Sequence, residues 1–249
     1  AFWSAGPLVA VMGFIDDRGH VAESWRLVTH FSAAGLVLFW CGGVPPLPVF
    51  GSVISLGWVG NVLGLIYLVW LLNLTNFMDG IDGLAATEVV TVSLVAAVLV
   101  ATITDSMLWG APAALAAATS GFLVWNWPPA RVFMGDVGSG FLGLAMGILS
   151  THTAWGEPRL FWCWIILMAV FATDATVTLV RRAVRRTPRF WGPHRTHGYQ
   201  RLTARVGSHR PVTLGVAVVN LLWLSPLATA VAYGWLDGLV GVVVSVVPI

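Results

Sequence analysis

The chain has 249 residues, of which 57% are hydrophobic and only 10% are charged, with a mean hydropathy of +0.83 and a formal net charge of +2. A soluble domain carries about 25% charged residues, so this composition excludes an ordinary soluble domain. It predicts a single polytopic membrane unit over residues 1–249, without an internal repeat.

The apolar runs, taken in chain order, predict an all-α bundle of transmembrane helices. Crossing the hydrocarbon takes about 20 apolar residues, so residues 1–15 are interpreted as the tail of a span that begins in a missing N-terminal part. The remaining spans are predicted at 27–42, 57–73, 84–103, 111–125, 138–153, 160–180 and 212–233, with a weaker candidate at 234–249. These runs correspond to about eight or nine spans in this fragment and roughly ten or eleven in a full-length protein.

The loops divide into two sets that are predicted to lie on opposite sides of the membrane. The first set comprises 16–26, 74–83, 126–137 and 181–211. The second set comprises 43–56, 104–110, 154–159 and 234–237. Twelve of the thirteen basic residues, all of them arginines, fall in the first set, and the second set contains only Arg159. Because cytoplasmic loops are enriched in arginine, the first set is predicted to face the cytoplasm.

Two adjacent carboxylates, Asp16 and Asp17, follow the first apolar run. Neighbouring carboxylates repel each other unless a cation or protons lie between them, as in a divalent metal site. The alternative is a solvated polar stop at the end of a helix.

Four polar side chains recur at intervals of three residues after the second predicted span: Asn73, Asn76, Asp79 and Asp82. At helical spacing they would share one face, where amides can read a nucleoside and a carboxylate can reach a metal or accept a proton. Gly80 and Gly83 are expected to let the backbone leave the helix and approach a ligand. The alternative is that these side chains only cap a helix end.

The segment 126–140 combines two prolines with glycines around Asp136. Gly135, Gly138 and Gly140 permit tight backbone, and the next helix is predicted to begin at about Ser139. A helix N-terminus beside a carboxylate and a metal is a workable cradle for a diphosphate. The alternative is an N-terminal acid with small residues for close helix packing.

The segment 181–211 is a basic loop with nine arginines, and Pro193 and Gly198 bracket the turn His194-Arg195-Thr196-His197. These histidines can bind a metal when neutral or a phosphate when charged, and phosphate is favoured because zinc needs more ligands. The arginine run alone is explained by attraction to anionic lipid. Two further acids have a structural explanation and no assigned function: Glu88 opens its helix, where a carboxylate complements the helix dipole, and Asp174 is expected to pair with Arg181 or Arg182.

Three motifs together resemble the polyprenyl-phosphate N-acetylhexosamine-1-phosphate transferases, glycosyltransferase family 4, which includes the MraY, WecA and WbpL-type enzymes. The motifs are Asp16-Asp17, Asn-Phe-Met-Asp-Gly-Ile-Asp-Gly at 76–83 and Phe-Met-Gly-Asp-Val-Gly-Ser at 133–139. Residues 193–201 look most like the WbpL-type branch, which initiates O-antigen synthesis. The chain departs from MraY in having His-x-x-His where MraY has three consecutive histidines.

The resemblance implies roles for individual residues. Asp136 looks like the magnesium ligand, assisted by Asp17, and manganese is the alternative metal. Asp16 and Asp17 look like the pair near the lipid phosphate, and Asp79 is the third catalytic candidate. The candidate substrate-binding residues are Asn73, Asn76, Asp79, Asp82, Asn126, Phe133, Gly135, His194, Arg195 and His197; among them, Asn126 and Phe133 resemble uracil contacts.

The implied reaction is transfer of N-acetylhexosamine-1-phosphate from a UDP-sugar to undecaprenyl phosphate at the cytoplasmic face of a bacterial inner membrane. Its products are UMP and a lipid-linked sugar that begins a glycan such as O-antigen or cell-wall polysaccharide. The expected partners are these substrates and the bilayer, together with a homodimeric copy and without nucleic acid. The alternative function is an ion-coupled transporter, whose acids would lie near the membrane midplane.

Overall fold

A computed structural model describes residues 1–19, 21–104, 106–187 and 194–249. The bracketing role predicted for Pro193, and the part of the basic loop around Arg189, lie outside these ranges.

The described residues form helices joined mostly by short loops, as the all-α prediction requires. The first half contains α1 (Phe2–Arg18), α2 (Glu23–Cys41), α3 (Gly57–Met78), α4 (Leu84–Ile103) and α5 (Gly110–Asn126). The second half contains α6 (Gly135–Gly156), α7 (Arg159–Leu167), α8 (Ala169–Val184), α9 (Gly198–Val206), α10 (His209–Val219), α11 (Ser225–Ala232) and α12 (Gly238–Ser245). A small antiparallel hairpin, β1 (Leu47–Val49) and β2 (Ser52–Ile54), pairs Pro48 with Val53 between α2 and α3.

Within the described ranges, four helical stretches are long and apolar enough to span a bilayer: Gly57–Met78, Leu84–Ile103, Met107–Asn126 and His209–Ala232. The last of these includes a π-helical segment, Asn220–Leu224, between α10 and α11. Helices α7 and α8 count as a fifth stretch if they form one broken span, and they are bent by 65° at their junction. The structure therefore supports four or five spans, and the larger predicted number stays a prediction. Helix α1 falls short because its 17 residues end in Asp16-Asp17-Arg18.

Glycines bring three of the helices unusually close together. A Cβ at Gly143 of α6 would lie 2.5 Å from the carbonyl oxygen of Leu71 in α3, so the two helices touch through backbone. A Cβ at Gly13 of α1 would lie 2.6 Å from the amide nitrogen of Val137 at the start of α6. Small residues allow such close approach between membrane helices. The end of α1 is therefore held against the beginning of α6.

Loops of the second predicted set meet at one end of the bundle. The amide of Phe50 donates to Asp237 Oδ2 at 2.6 Å, and the indole of Trp162 donates to the Pro48 carbonyl at 2.8 Å. The indole of Trp155 donates to the Gly43 carbonyl at 3.3 Å. These contacts join the loops at 43–56, 154–159 and 234–237, which confirms that they share one end.

Glu88 does not occupy an exposed helix start, so its predicted role is wrong. It lies in the second turn of α4, is fully buried, and accepts a hydrogen bond of 2.7 Å from Asn220 Nδ2 in the π-helical segment. Its second oxygen and Asn220 Oδ1 have no partner in the described structure. The hydrogen bond between Asn220 and Glu88 links α4 to the break between α10 and α11.

Candidate active site at the end of the bundle

The polar residues after α3 do not form one helical stripe, which corrects the prediction for Asp79 and Asp82. Helix α3 continues through Asn73 and Asn76 but ends at Met78, with Asp79 as the residue that follows it. The last turn tightens because the Asp79 amide donates to the Asn76 carbonyl at 3.3 Å. Asp82 lies in the loop before α4, which begins after Gly83 at a φ of +75°.

Asp82 ties this loop to two other parts of the chain. Its Oδ2 accepts a hydrogen bond from the Ala130 amide at 3.0 Å and lies 3.2 Å from His209 Nδ1. Its carbonyl accepts a hydrogen bond of 3.1 Å from Thr213 of α10. These contacts hold the loop after α3 against the loop after α5. In this structure, Asp82 therefore fixes the relative position of two loops of the candidate site.

Asn126 also joins these two loops. Its Oδ1 accepts from the Gly83 amide at 3.0 Å, and its Nδ2 donates to the Val132 carbonyl at 2.8 Å. The residue is only 3% exposed, and these two bonds leave one N–H and one lone pair of its side chain unused. Phe133 differs, because its ring is 77% exposed and open to stacking on a planar ligand.

Asp17 caps the N-terminus of α6. This helix begins at Gly135, four residues earlier than predicted, and Gly135 has a φ of +66°. Asp17 Oδ1 accepts from the Asp136 amide at 3.0 Å, and Oδ2 accepts from the Val137 amide at 3.4 Å. A Cβ at Gly135 would lie 2.8 Å from Asp17 Oδ2, which explains the need for glycine. The helix end predicted to bind a diphosphate is thus occupied by a carboxylate of the protein.

Asp136 joins three parts of the chain. Its Oδ1 accepts a hydrogen bond of 2.7 Å from Asn76 Nδ2, which also donates to Ser139 at 3.1 Å. Arg26 Nη1 lies 3.8 Å from Asp136 Oδ2 and 2.6 Å from Asp16 Oδ2. The guanidinium therefore bridges two acids that are far apart in the sequence. Sequence reasoning missed Arg26, and its only signal was a basic residue shortly after the acidic pair.

Asp79 lies close enough to this cluster to respond to its charge. Burial, together with the negative charges of Asp136 and Asp17, raises the pKa of Asp79 to about 7. Because like charges that share a site disfavour ionisation, the three carboxylates form a region that attracts a cation.

These residues could hold a divalent metal only in a site that is completed by ligands from outside the protein. Among the described residues, no group of three metal-ligating side chains is already arranged to hold an ion. The available ligands are carboxylate oxygens, which magnesium prefers, and magnesium is usually bound through one or two carboxylates together with substrate phosphates. Asp136 and Asp17 fit a cation that binds together with a phosphorylated ligand.

The histidine turn is anchored by Asp174, and the prediction that Asp174 pairs with Arg181 or Arg182 is wrong. Its Oδ1 accepts a hydrogen bond of 2.8 Å from the Gly198 amide, and its Oδ2 accepts one of 2.8 Å from the Tyr199 amide. Oδ1 also lies 3.3 Å from Nδ1 of His197, which is 2% exposed. The carboxylate thus caps α9 and orients the imidazole. In the sequence, the indication that Asp174 has a specific role is that it is an acid inside an apolar span.

The histidine turn contacts the end of α3. The rings of His194 and His197 stack with centroids 4.7 Å apart, and Phe77 lies 6.1 Å from His197. Tyr199 donates a hydrogen bond of 2.9 Å to the Phe77 carbonyl. The hydroxyl of Tyr199 covers Gly80, so the close approach expected of a ligand at this glycine is made by Tyr199.

His194 and Arg195 lie at the open side of this turn, and Arg195 is exposed. Desolvation, together with the charges of Arg182 and His197, lowers the pKa of His194 to about 4. His194 is therefore neutral near pH 7 in this ligand-free state, and a neutral imidazole can still donate one N–H to a phosphate. The loops at 16–26, 74–83, 126–137 and 194–211 thus meet at one end of the bundle, opposite the end that holds the other set.

Comparison with known proteins identifies relatives of the chain. The family described as Glycosyl transferase family 4 matches residues 1–154. A protein of Bacillus subtilis named probable undecaprenyl-phosphate N-acetylglucosaminyl 1-phosphate transferase is 28% identical over 238 residues, which cover 92% of this chain and 65% of the relative.

Two further relatives match shorter parts. A phospho-N-acetylmuramoyl-pentapeptide-transferase of Moorella thermoacetica is 44% identical over 112 residues, 45% of this chain and 35% of the relative. A decaprenyl-phosphate N-acetylglucosaminephosphotransferase of Mycolicibacterium smegmatis is 30% identical over 158 residues, 54% of this chain and 38% of the relative. The chain thus spans between about a third and two thirds of the length of these relatives. Because the family match covers more than half of its residues, the chain belongs to glycosyl transferase family 4, the family of polyprenyl-phosphate sugar-1-phosphate transferases.

Proposed function

We propose that the protein transfers N-acetylhexosamine-1-phosphate from a UDP-sugar to undecaprenyl phosphate and releases UMP. The observation that carries this proposal is the convergence of Asp17, at the end of α1, with Asp136, in the first turn of α6, close enough to Asp79 after α3 for their charges to act on it. Carboxylates beside a helix N-terminus suit a phosphorylated substrate that arrives with magnesium.

The reaction exchanges one phosphoanhydride bond for another. An oxygen of the lipid phosphate attacks the sugar-bearing β-phosphorus of the donor, and the bond from that phosphorus to the UMP oxygen breaks. The attacking phosphate is already ionised near neutral pH, so positioning and charge neutralisation dominate over proton abstraction. Asp16 and Asp79 are the candidates to accept a remaining proton.

Asp136 and Asp17 would hold the magnesium ion, which when bound neutralises charge on the diphosphate. The guanidinium of Arg26 already reaches both Asp16 and Asp136. If the guanidinium left Asp16, it would be able to neutralise the charge of a bound phosphate. His194, Arg195 and His197 would bind the diphosphate from the other side. Gly135 would admit the phosphates to the backbone of α6.

The nucleoside and sugar would lie between the ends of α3 and α5. Phe133 would stack on the uracil, and Asn73, Asn76 and Asn126 would supply amide groups. The WbpL-like turn suggests a 6-deoxy N-acetylhexosamine and a product that initiates O-antigen or another cell-surface glycan. We place this site at the cytoplasmic face of a bacterial inner membrane because its loops carry most of the arginines.

An ion-coupled transporter is not favoured. Transporter acids lie near the bilayer midplane, whereas Asp16, Asp17, Asp79 and Asp136 lie at or just beyond helix ends.

Exchange of radiolabelled UMP into UDP-N-acetylhexosamine tests the proposal, with undecaprenyl phosphate and magnesium present and a panel of UDP-sugars as donors. Wild-type protein is expected to catalyse lipid-dependent exchange, since the step is freely reversible. Asp136→Asn is expected to reduce exchange at least a hundredfold while the protein remains folded. The absence of exchange with every donor, or near-normal exchange by Asp136→Asn, would contradict the proposal or the role of Asp136, respectively.

A further inference from the structure

A second cavity lies between α8, α9, α10 and the C-terminal residues. Its volume is about 890 Å³, near the upper end of the range for small-molecule sites. One wall is apolar and includes Val177 of α8 together with Val212, Val216 and Val219 of α10. The cavity is therefore large enough for part of an amphiphile and is lined to accept its apolar portion.

Another part of the lining is strongly cationic. Its arginines are Arg181, Arg182, Arg185, Arg195 and Arg201. The only carboxylate among the described lining residues is Asp174, whose two oxygens already accept from backbone amides. The sequence contains no further acid between Asp174 and Asp237. This concentration of positive charge requires an anionic group in the ligand.

The two parts of the lining lie at different depths. Helix α10 opens the helical stretch His209–Ala232, which is long and apolar enough to span a bilayer, and the lining residues Pro211 to Val219 extend along it by roughly 12 Å at 1.5 Å per residue. Arg181, Arg185 and Arg201 are exposed residues at the loop end of α8 and on α9. An apolar wall at acyl-chain depth beneath an arginine rim matches the distribution of charge and apolar surface in a membrane lipid.

The cavity is separate from the carboxylate cluster. Among its described lining residues, none is Asp16, Asp17, Asp79 or Asp136. The small cleft that contains Asp16, Arg26 and Asp136 shares no described lining residue with it. The cavity does reach the histidine turn through Arg195, so a phosphate bound here would lie apart from the acids assigned to the transfer step but beside one arginine of that turn.

We propose that this cavity binds an anionic phospholipid of the surrounding bilayer. Arg181, Arg185 and Arg201 bind the headgroup phosphate, and the valines of α8 and α10 contact the acyl chains. The site goes beyond the proposed function, because the lipid is neither donor nor acceptor in the transfer.

The test measures lipid binding to the purified protein in detergent by the shift in thermal unfolding temperature. The probes are short-chain phosphatidylglycerol, phosphatidylcholine with the same chains, inorganic phosphate and undecaprenyl phosphate. The charge variant is Arg181→Gln/Arg185→Gln/Arg201→Gln. Its matched control is Arg205→Gln/Arg210→Gln, because these two arginines are in the same basic region but do not line the cavity.

A second pair of variants tests the apolar wall. A Cβ at Gly215, which lines the cavity, would meet open space, so Gly215→Leu fills the site without displacing backbone. Gly121→Leu on α5 is the control, since its Cβ also meets open space but outside the cavity. Unfolding without lipid establishes that each variant is folded.

Phosphatidylglycerol is expected to give a saturable stabilisation that phosphatidylcholine and inorganic phosphate do not give. The charge variant and Gly215→Leu should each weaken phosphatidylglycerol binding at least tenfold, while both controls remain within twofold of the wild type. An equal loss of phosphatidylglycerol binding in the two arginine variants would overturn the proposal, because it would mean that the lipid is attracted by the basic surface in general. Binding of inorganic phosphate as strong as that of phosphatidylglycerol would also overturn the proposal. Equally tight competition by undecaprenyl phosphate would overturn it as well, because the cavity would then be an acceptor site.

Discussion

At the scale of single residues, Asp79 lowers the stability of the folded protein when it is ionised, because it lies next to the other acids of the candidate site. Its carboxyl is buried next to Asp136 and Asp17, and this environment raises its pKa from 3.8 to about 7. Below pH 4 the group is protonated in both the folded and the unfolded state, so it costs nothing. As the pH rises from about 4 to 7 the unfolded state ionises first, and the folded state loses relative stability.

Asp79→Asn is therefore expected to be more thermostable than the wild type at pH 8 without magnesium, and to differ little from it near pH 3, where the carboxyl is protonated in both states. The comparison across pH is an internal control for any change in packing. Magnesium at pH 8 should narrow the difference by stabilising the wild type. Thermal unfolding of the purified proteins measures this, and a difference independent of pH would refute the charge-based explanation.

The sequence allowed the acids of the site to be predicted but not their partners. Asp17, Asp79 and Asp136 stand out because charge in an apolar chain is costly. The roles of Arg26 and Tyr199, and the partners of Asp174, were not predictable, since they depend on which loops meet across the bundle. Asp174 and Tyr199, for example, are 25 positions apart, and no local spacing relates them.

At the scale of elements, the contact between α1 and α6 sets the geometry of the carboxylates. Asp16 and Asp17 follow Gly13 by one turn of helix, and Gly13 touches the backbone of Asp136 and Val137. The neighbours are backbone atoms, so a methyl group there would have to push the helices apart.

Gly13→Ala is expected to lower stability by about 1–3 kcal/mol, as overpacking does, and to reduce UMP exchange at least tenfold. Gly35→Ala on α2 is the matched control, because its Cβ would meet nothing within 4 Å. It should behave like the wild type in unfolding and exchange assays. Normal exchange by Gly13→Ala would show that the α1–α6 distance is not critical.

Helix boundaries were harder to predict than helix existence. The span at 84–103 coincides with α4, but α3 runs to Met78 although its apolar run stops at Leu72. Polar residues can continue a helix where they face other polar groups, as Asn76 faces Asp136. A period of three residues also persists by chance beyond a helix end, which is why Asp79 and Asp82 were wrongly placed on it.

At the scale of the whole molecule, the division of loops into two sets was predictable because alternate connections of a helical bundle return to the same end. The contacts of Asp17 with α6, and of Tyr199 with the end of α3, confirm one group, and the contacts of Phe50 with Asp237 confirm the other. Helix breaks were not predictable: a bend of 65° separates α7 from α8 within one continuous apolar run.

Labelling of introduced cysteines in intact cells is expected to separate the two ends. With Cys41 and Cys163 replaced by alanine, Arg131→Cys and Arg205→Cys should react only after the inner membrane is permeabilised. Val53→Cys and Trp235→Cys, which are exposed at the other end, should react from the outside. Reaction of Arg131→Cys and Arg205→Cys from the outside would disprove the assigned orientation, and reaction of all four positions from the same side would disprove the separation of the two ends.

The capping of α6 by Asp17 makes the binding of a phosphate and the binding of a metal thermodynamically dependent on each other. A phosphate that takes the amides of Asp136 and Val137 must displace Asp17, and the released carboxylate becomes available to a cation. Each ligand should then increase the affinity of the other by the same factor. Calorimetric titration of UMP with and without magnesium should show this cooperativity, and Asp17→Asn should abolish most of it.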